Sequence, residues 1–139
     1  MMRLIEVACW CHIENNKLLL LKSKKNPETF YMPGGKIEKG EDKKQALIRE
    51  LHAELNIRLL PNTIHYYNSF GAKAFNETEG VEVIDHCFWA DFAGKFLPSG
   101  EIECYSFFSF DTFPLWVGMH FSSSHIYCFF LQSPAKLCP

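Results

Sequence analysis

Two glutamates, Glu50 and Glu54, stand four residues apart in a run of good helix formers, Asp42 to Leu55, that holds no glycine or proline. At about 100° per residue they lie about 40° apart on one flank of a helix, so both carboxylates can act on one ligand. Leu47, Ile48, Leu51 and Leu55 fall in a sector about 100° wide beside them, which marks the buried face. Paired carboxylates suit a hard divalent cation. Mg²⁺ takes one or two of them and completes its shell with waters and phosphate oxygens. Just upstream, the Gly34-Gly35 pair lets the backbone come close to a ligand. The helix N-terminus adds partial positive charge that favours phosphates. Taken singly, the glutamates would be a solvated helix face and the glycines a turn.

The elements that must position these residues are legible around them. Ile5 to Ile13 and Lys17 to Leu21 are β-forming runs separated by Glu14-Asn15-Asn16, the pattern of a hairpin. Phe30-Tyr31-Met32 is a short strand stopped by Pro33. After Pro61, strands are expected at 64–70, 81–92 and 103–110, with loops at 72–80 and 94–100. One long helix among strands predicts a mixed α/β (α+β) domain. From Thr112 the periodicity decays into an aromatic, serine-rich tail whose only Lys, Arg, Asp or Glu is Lys136. The chain divides at 111: residues 1–111 carry the domain, and 112–139 form an atypical tail read as part of it.

Composition narrows the function. The 139 residues fit one domain. The chain is 47% hydrophobic and 22% charged, with a net charge of -2 and a pI near 6.3. That balance offers no basic field for a long nucleic acid, although a small phosphorylated ligand needs only a local site. No apolar run is long enough to span a membrane as a helix. Met1 to His12 reads as a strand rather than a secretory signal, which makes a cytoplasmic location the expectation. The six cysteines include no CxxC pair. They are expected to be free thiols, and a structural zinc site is not indicated.

Gly35, Glu41, Arg49, Glu50, Leu51, Glu54 and Ile57 share a register. With Phe30-Tyr31-Met32-Pro33-Gly34 leading in, the stretch resembles the Nudix box of MutT-like Nudix hydrolases. The resemblance in element order runs from about residue 4 to 110. It implies a mixed β-sheet sandwiched between helices. It also implies a Mg²⁺-dependent pyrophosphohydrolase, with Mn²⁺ as an alternative ion. The substrate would be a small nucleotide: a nucleoside triphosphate, oxidised or not, or another nucleoside diphosphate derivative. By the same resemblance, Gly35 (through its carbonyl), Glu50 and Glu54 are the metal ligands. Glu41 pairs with Arg49 and orients the loop, with helix capping as the other reading of Glu41.

Two positions depart from the pattern. Ala53 stands where the family has a glutamate, which removes one carboxylate from the metal cluster. Asn56 stands where the family has glycine, and asparagine tolerates the left-handed conformation of a helix end. The general base is open among Glu50, Glu101 and Glu82. Glu101, in Pro98-Ser99-Gly100-Glu101, resembles a loop acid of related enzymes. Lys22, Lys24 and Lys25 are either a phosphate-attracting patch or a solvated loop. Phe30, Tyr31, Phe75 and Trp89 are candidates for stacking on a base, although at 15% aromatics most such side chains must be plain core. Two alternatives stay open. The missing carboxylate at 53 and the tail fit a catalytically weak Nudix-like module that binds a nucleotide or a protein. The apolar groups of the tail would cover the sheet, be poorly ordered, or form a homodimer interface.

Overall fold

A computed structural model describes residues 3–25, 30–73, 81–109, 116–121 and 126–130. The mixed α/β (α+β) architecture is as expected. β1 (Arg3–Trp10) lies at the centre of a four-stranded sheet with β5 (Gly34–Lys36), β8 (Val81–Trp89) and β7 (His65–Lys73), in the order β5-β1-β8-β7. β1 runs parallel to β8 and antiparallel to β5, and β7 runs antiparallel to β8. A second, six-stranded sheet joins β10 (Ile102–Ser109), β3 (Lys17–Ser23), β4 (Phe30–Tyr31), β12 (Ile126–Phe130) and β11 (Trp116–Phe121) in that order. The short β2 (Ile13–Glu14) also pairs with β3. β6 (Arg58–Leu59) and β9 (Phe92–Ala93) make a separate two-stranded ribbon.

Among the described residues, α1 (Lys43–Leu55) is the one α-helix. Asp42 caps its start. The Asp42 carboxylate accepts from the Gln45 amide at 2.8 Å, and the Gln45 side chain accepts from the Asp42 amide at 2.8 Å. This reciprocal box satisfies two donors that the first turn leaves orphaned. At the other end Asn56 takes the left-handed conformation, φ 56° and ψ 32°, and its N–H reaches the His52 carbonyl. The hairpin turn is equally local in origin. Asn15 and Asn16 both have positive φ, as a two-residue turn between twisted strands demands.

Alternation along the strands sorts the core. Ala8 and Trp10 of β1, Leu19 and Leu21 of β3 and Phe88 of β8 join Leu47, Leu51 and Leu55 of α1 in the main cluster. Residues of opposite parity, Val7, Cys9, Val83 and Cys87, form a smaller cluster with Ile5. Leu18, Leu20, Phe30 and Phe108 form a third. Each fully buried leucine contributes on the order of 2 kcal/mol of transfer free energy, so α1 is held chiefly by its leucine face.

Several expectations change here. Phe30 and Tyr31 are core residues, 0% and 1% exposed, so neither is available to stack on a base. Phe75 lies outside the described residues, as does the boundary at 111. The tail contains strands β11 and β12, although its pattern shows no strand period. Cys9, Cys11 and Cys87 are free thiols, but Cys104 is disulfide-bonded, against the expectation for all six. That expectation rested on a reducing compartment, and linear sequence does not record which strands bring sulfurs together.

Candidate active site

The site starts at the β5–α1 junction. Gly35 sits directly on the Glu50 carboxylate: a Cβ there would meet Glu50 Cδ at 2.5 Å and both of its oxygens at 2.7 Å. Gly34, at φ 145°, lies against β1, where a Cβ would meet the Ala8 carbonyl oxygen at 2.1 Å. Its amide donates to Glu54 Oε1 at 2.8 Å. Glu54 is 4% exposed, so this bond fixes a buried carboxylate against the strand that precedes the helix. The two glycines therefore let β5 pack on two glutamates of α1 at once.

Arg49 ties the loop to the helix. Its Nε and Nη2 donate to the two oxygens of Glu41, at 3.1 and 2.7 Å. Nη2 also donates to the Lys36 carbonyl at 3.0 Å, and Nη1 donates to Glu50 Oε1 at 2.7 Å. Glu41 accepts in addition from the Glu38 amide at 2.7 Å. The Arg49 hydrogen bonds, then the Glu38 amide, hold the Glu41 carboxyl below its ordinary pKa. The bond to Glu41 in turn pushes the Arg49 guanidinium further up. The capping reading of Glu41 is set aside, because Asp42 holds that position.

A loop far along the chain completes the arrangement. Leu97 donates its amide to the Leu55 carbonyl at 2.9 Å, and Ser99 donates to the Glu54 carbonyl at 3.0 Å. The Lys24 amide donates to the Glu101 carbonyl at 2.8 Å. Pinned at both ends, the loop brings Glu101 into a cavity of about 190 Å³ lined also by Glu50, Ala53, Glu54, Ser99 and Gly100. Glu82 is exposed on β8 and does not line this cavity. Of the basic patch, Lys25 Nζ lies 2.6 Å from Glu101 Oε1 and Lys22 Nζ lies 3.4 Å from Glu103 Oε2. Trp89 is half-exposed and packs edge-on against Tyr67, with centroids 5.2 Å apart.

Among the described residues no three His, Cys, Asp or Glu side chains are grouped so as to hold a metal ion between them. The donor set fits a Mg²⁺-type ion nonetheless. It supplies oxygen only: the Glu50 and Glu54 carboxylates line the cavity, and the Gly35 backbone lies against Glu50. This is how Mg²⁺ is held when substrate oxygens share its shell.

One acid escaped the sequence reading. Asp85, on β8, is wholly buried. Burial pushes its carboxyl up to about 7, against a smaller lowering by the Cys9 thiol. It lies on the strand face opposite the helix, among Cys9, Val83 and Cys87. The available signal was an aspartate next to His86 inside the otherwise apolar run Val83 to Trp89.

A carboxylate pair on a capped helix, backed by two glycines and an Arg–Glu clamp, can serve a divalent ion together with phosphate oxygens. The NUDIX domain family matches residues 2–127, and the chain belongs to this family of hydrolases acting on phosphoanhydride bonds. Similar solved structures share the fold. The ORF135 protein of E. coli is 28% identical, with 78% of this chain and 75% of that one covered and a TM-score of 0.64. The MutT NUDIX hydrolase of Burkholderia pseudomallei is 22% identical, with 78% and 85% covered and a TM-score of 0.67. An ADP-ribose pyrophosphatase of Streptococcus suis is 17% identical, with 77% and 75% covered and a TM-score of 0.53. None of the curated proteins compared matches the chain. No helix among the described residues is long and apolar enough to cross a membrane.

Proposed function

We propose that the protein is a Mg²⁺-dependent pyrophosphohydrolase of small nucleotides, cleaving the diphosphate linkage of a nucleoside triphosphate, oxidised or not, or of another nucleoside diphosphate derivative. The observation that carries this reading is the convergence of Glu50, Glu54 and Glu101 on one cavity beside the Gly35 backbone. Gly35, through its carbonyl, Glu50 and Glu54 would hold the ion. Bound there, Mg²⁺ neutralises phosphate charge and polarises the phosphoryl group under attack. Manganese offers the same oxygen-seeking chemistry.

The protein's own groups supply the rest. Water attacks a phosphorus of the substrate, the bridging P–O bond breaks, and two phosphate products leave. The proton of the attacking water goes to a carboxylate. Glu101 is the candidate for this: it lines the cavity from the loop side, where Lys25 Nζ lies 2.6 Å from its Oε1 and favours the ionised form, while Glu50 and Glu54 face the cavity from the helix. Arg49 acts through Glu41 and Glu50, holding the loop and the carboxylate in position. Ala53 lines the same cavity, so the family's missing carboxylate leaves open space there rather than a clash. Cytoplasmic nucleotide pools are the natural source of such substrates.

The test is product analysis by chromatography on a panel of nucleoside triphosphates, oxidised deoxynucleotides, nucleotide sugars and dinucleoside polyphosphates, with Mg²⁺, Mn²⁺ or chelator. Metal-dependent release of a monophosphate supports the reading. A folded protein inert on the whole panel, even as Ala53→Glu, would favour a binding module instead.

A further inference from the structure

A second set of polar groups lies on the β7–β8 side of α1, away from the cavity of Glu50 and Glu54. Ser69 of β7 and His86 of β8 are register partners, and Ser69 Oγ is 2.7 Å from His86 Nδ1. The other ring nitrogen, Nε2, is 3.1 Å from Glu6 Oε1 on β1. The Tyr66 hydroxyl is 2.6 Å from Ser69 Oγ. His86 is 9% exposed. These groups face a cavity of about 550 Å³, lined by Ser69, His86 and Tyr66 together with Phe88, Lys43 and Lys44. Nothing in diphosphate cleavage uses them.

The hydrogen-bond roles follow from the partners. A carboxylate can only accept, so Nε2 carries the ring proton and donates it to Glu6. In the neutral ring Nδ1 is then the acceptor, and the Ser69 hydroxyl donates to it. The order hydroxyl, imidazole, carboxylate is that of an activated serine nucleophile, recognised by geometry and roles rather than by position in the chain.

We propose that Ser69, His86 and Glu6 form a second hydrolytic site, one that cleaves small carboxylic esters. Ser69 Oγ attacks the ester carbonyl carbon as its proton passes to His86 Nδ1. The tetrahedral oxyanion collapses, the C–O bond to the alcohol breaks, and the alcohol leaves with the proton from Nδ1. Water then attacks the acyl-serine with His86 as base, releasing the acid and restoring Ser69. The sum is ester plus water giving acid plus alcohol, with no other reactant. The Tyr66 hydroxyl, 2.6 Å from Ser69 Oγ, and the lysines of the cavity are donors available to the developing oxyanion, and Phe88 gives the cavity an apolar wall. Glu6 is a positioning residue that fixes the ring and its tautomer.

The experiment treats the full chain with a small alkyl fluorophosphonate and maps the adduct by peptide mass spectrometry. Attack by Ser69 Oγ forms the P–O bond, fluoride leaves, and the proton passes through His86. The expected result is one phosphonyl group on Ser69, none in Ser69→Ala, and labelling slower by about 100-fold or more in His86→Gln. Hydrolysis of p-nitrophenyl acetate should fall in parallel. Glu6→Gln should slow labelling and remove the slowly exchanging His86 Nε2–H resonance from the proton spectrum. No adduct on Ser69 would overturn the proposal, as would labelling that is equally fast in His86→Gln. Labelling of Glu6→Gln at the native rate would overturn the role of Glu6. Should His86→Gln fail to fold, the site of the adduct in the native chain still decides.

Discussion

The backbone of Gly35 and the carboxylate of Glu50 occupy one contact. A Cβ at residue 35 would lie 2.5 Å from Glu50 Cδ, well inside van der Waals distance. Gly35→Ala must therefore displace the carboxylate or the strand. The expected outcome is a loss of turnover of about 100-fold, in keeping with a displaced catalytic group. Stability should fall by about 1–3 kcal/mol from overpacking. Steady-state kinetics and denaturant unfolding measure the two separately, and unchanged turnover would show that Glu50 has no fixed working position.

Arg49→Lys should not behave as a conservative change. Arginine meets Glu41 with two donors and reaches Glu50 and the Lys36 carbonyl with the same planar group. A lysine ammonium cannot match that fork. Activity should drop by about 10- to 100-fold, the range for groups that orient metal ligands. The half-saturating Mg²⁺ concentration should rise in the same titration.

Asp85 gives stability a pH dependence. Its carboxyl sits near 7 when folded, against 3.8 for an aspartate in water, because burial disfavours the charge. The folded state thus keeps a proton that the unfolded chain releases. The contribution is fully present below about pH 4 and is lost as pH rises through about 7, on the order of 4 kcal/mol over the window. Urea unfolding at pH 5 and pH 8 should show the native chain weaker at pH 8. Asp85→Asn, which cannot ionise, should lack that part of the difference. An Asp85→Asn profile that matches the native one would assign the effect elsewhere.

Ala53→Glu places a fourth carboxylate on the wall shared by Glu50, Glu54 and Glu101. Added negative charge should tighten divalent-ion binding. The Mg²⁺ concentration for half-maximal activity should fall by about 10-fold. No change would mean that residue 53 does not face the ion.

What could be read from sequence was what is local. The helix period, the four-residue spacing of Glu50 and Glu54, and the left-handed Asn56 all follow from neighbours in the chain. Glu101 was only a candidate, because its place depends on hydrogen bonds from Ser99 to Glu54 and from Lys24 to Glu101. Such bonds join segments with no shared pattern. Phe30 and Tyr31 stayed undecided between core and stacking because an aromatic side chain suits both equally well. β11 and β12 escaped because residues 116–130 lack the polar–apolar alternation that marks a half-buried strand. The triad of Ser69, His86 and Glu6 draws on three strands, and its residues are unremarkable singly.

The most direct measurement is the turnover of Glu54→Gln beside the native protein, on the best nucleotide substrate and at saturating Mg²⁺. The amide keeps the shape of the side chain and an oxygen to accept from Gly34, but it removes the charge. Turnover is expected to fall by about 100-fold or more, with the fold intact by circular dichroism. A folded Glu54→Gln protein that turns over within a few-fold of the native rate would contradict a carboxylate-held divalent ion as the centre of this hydrolase.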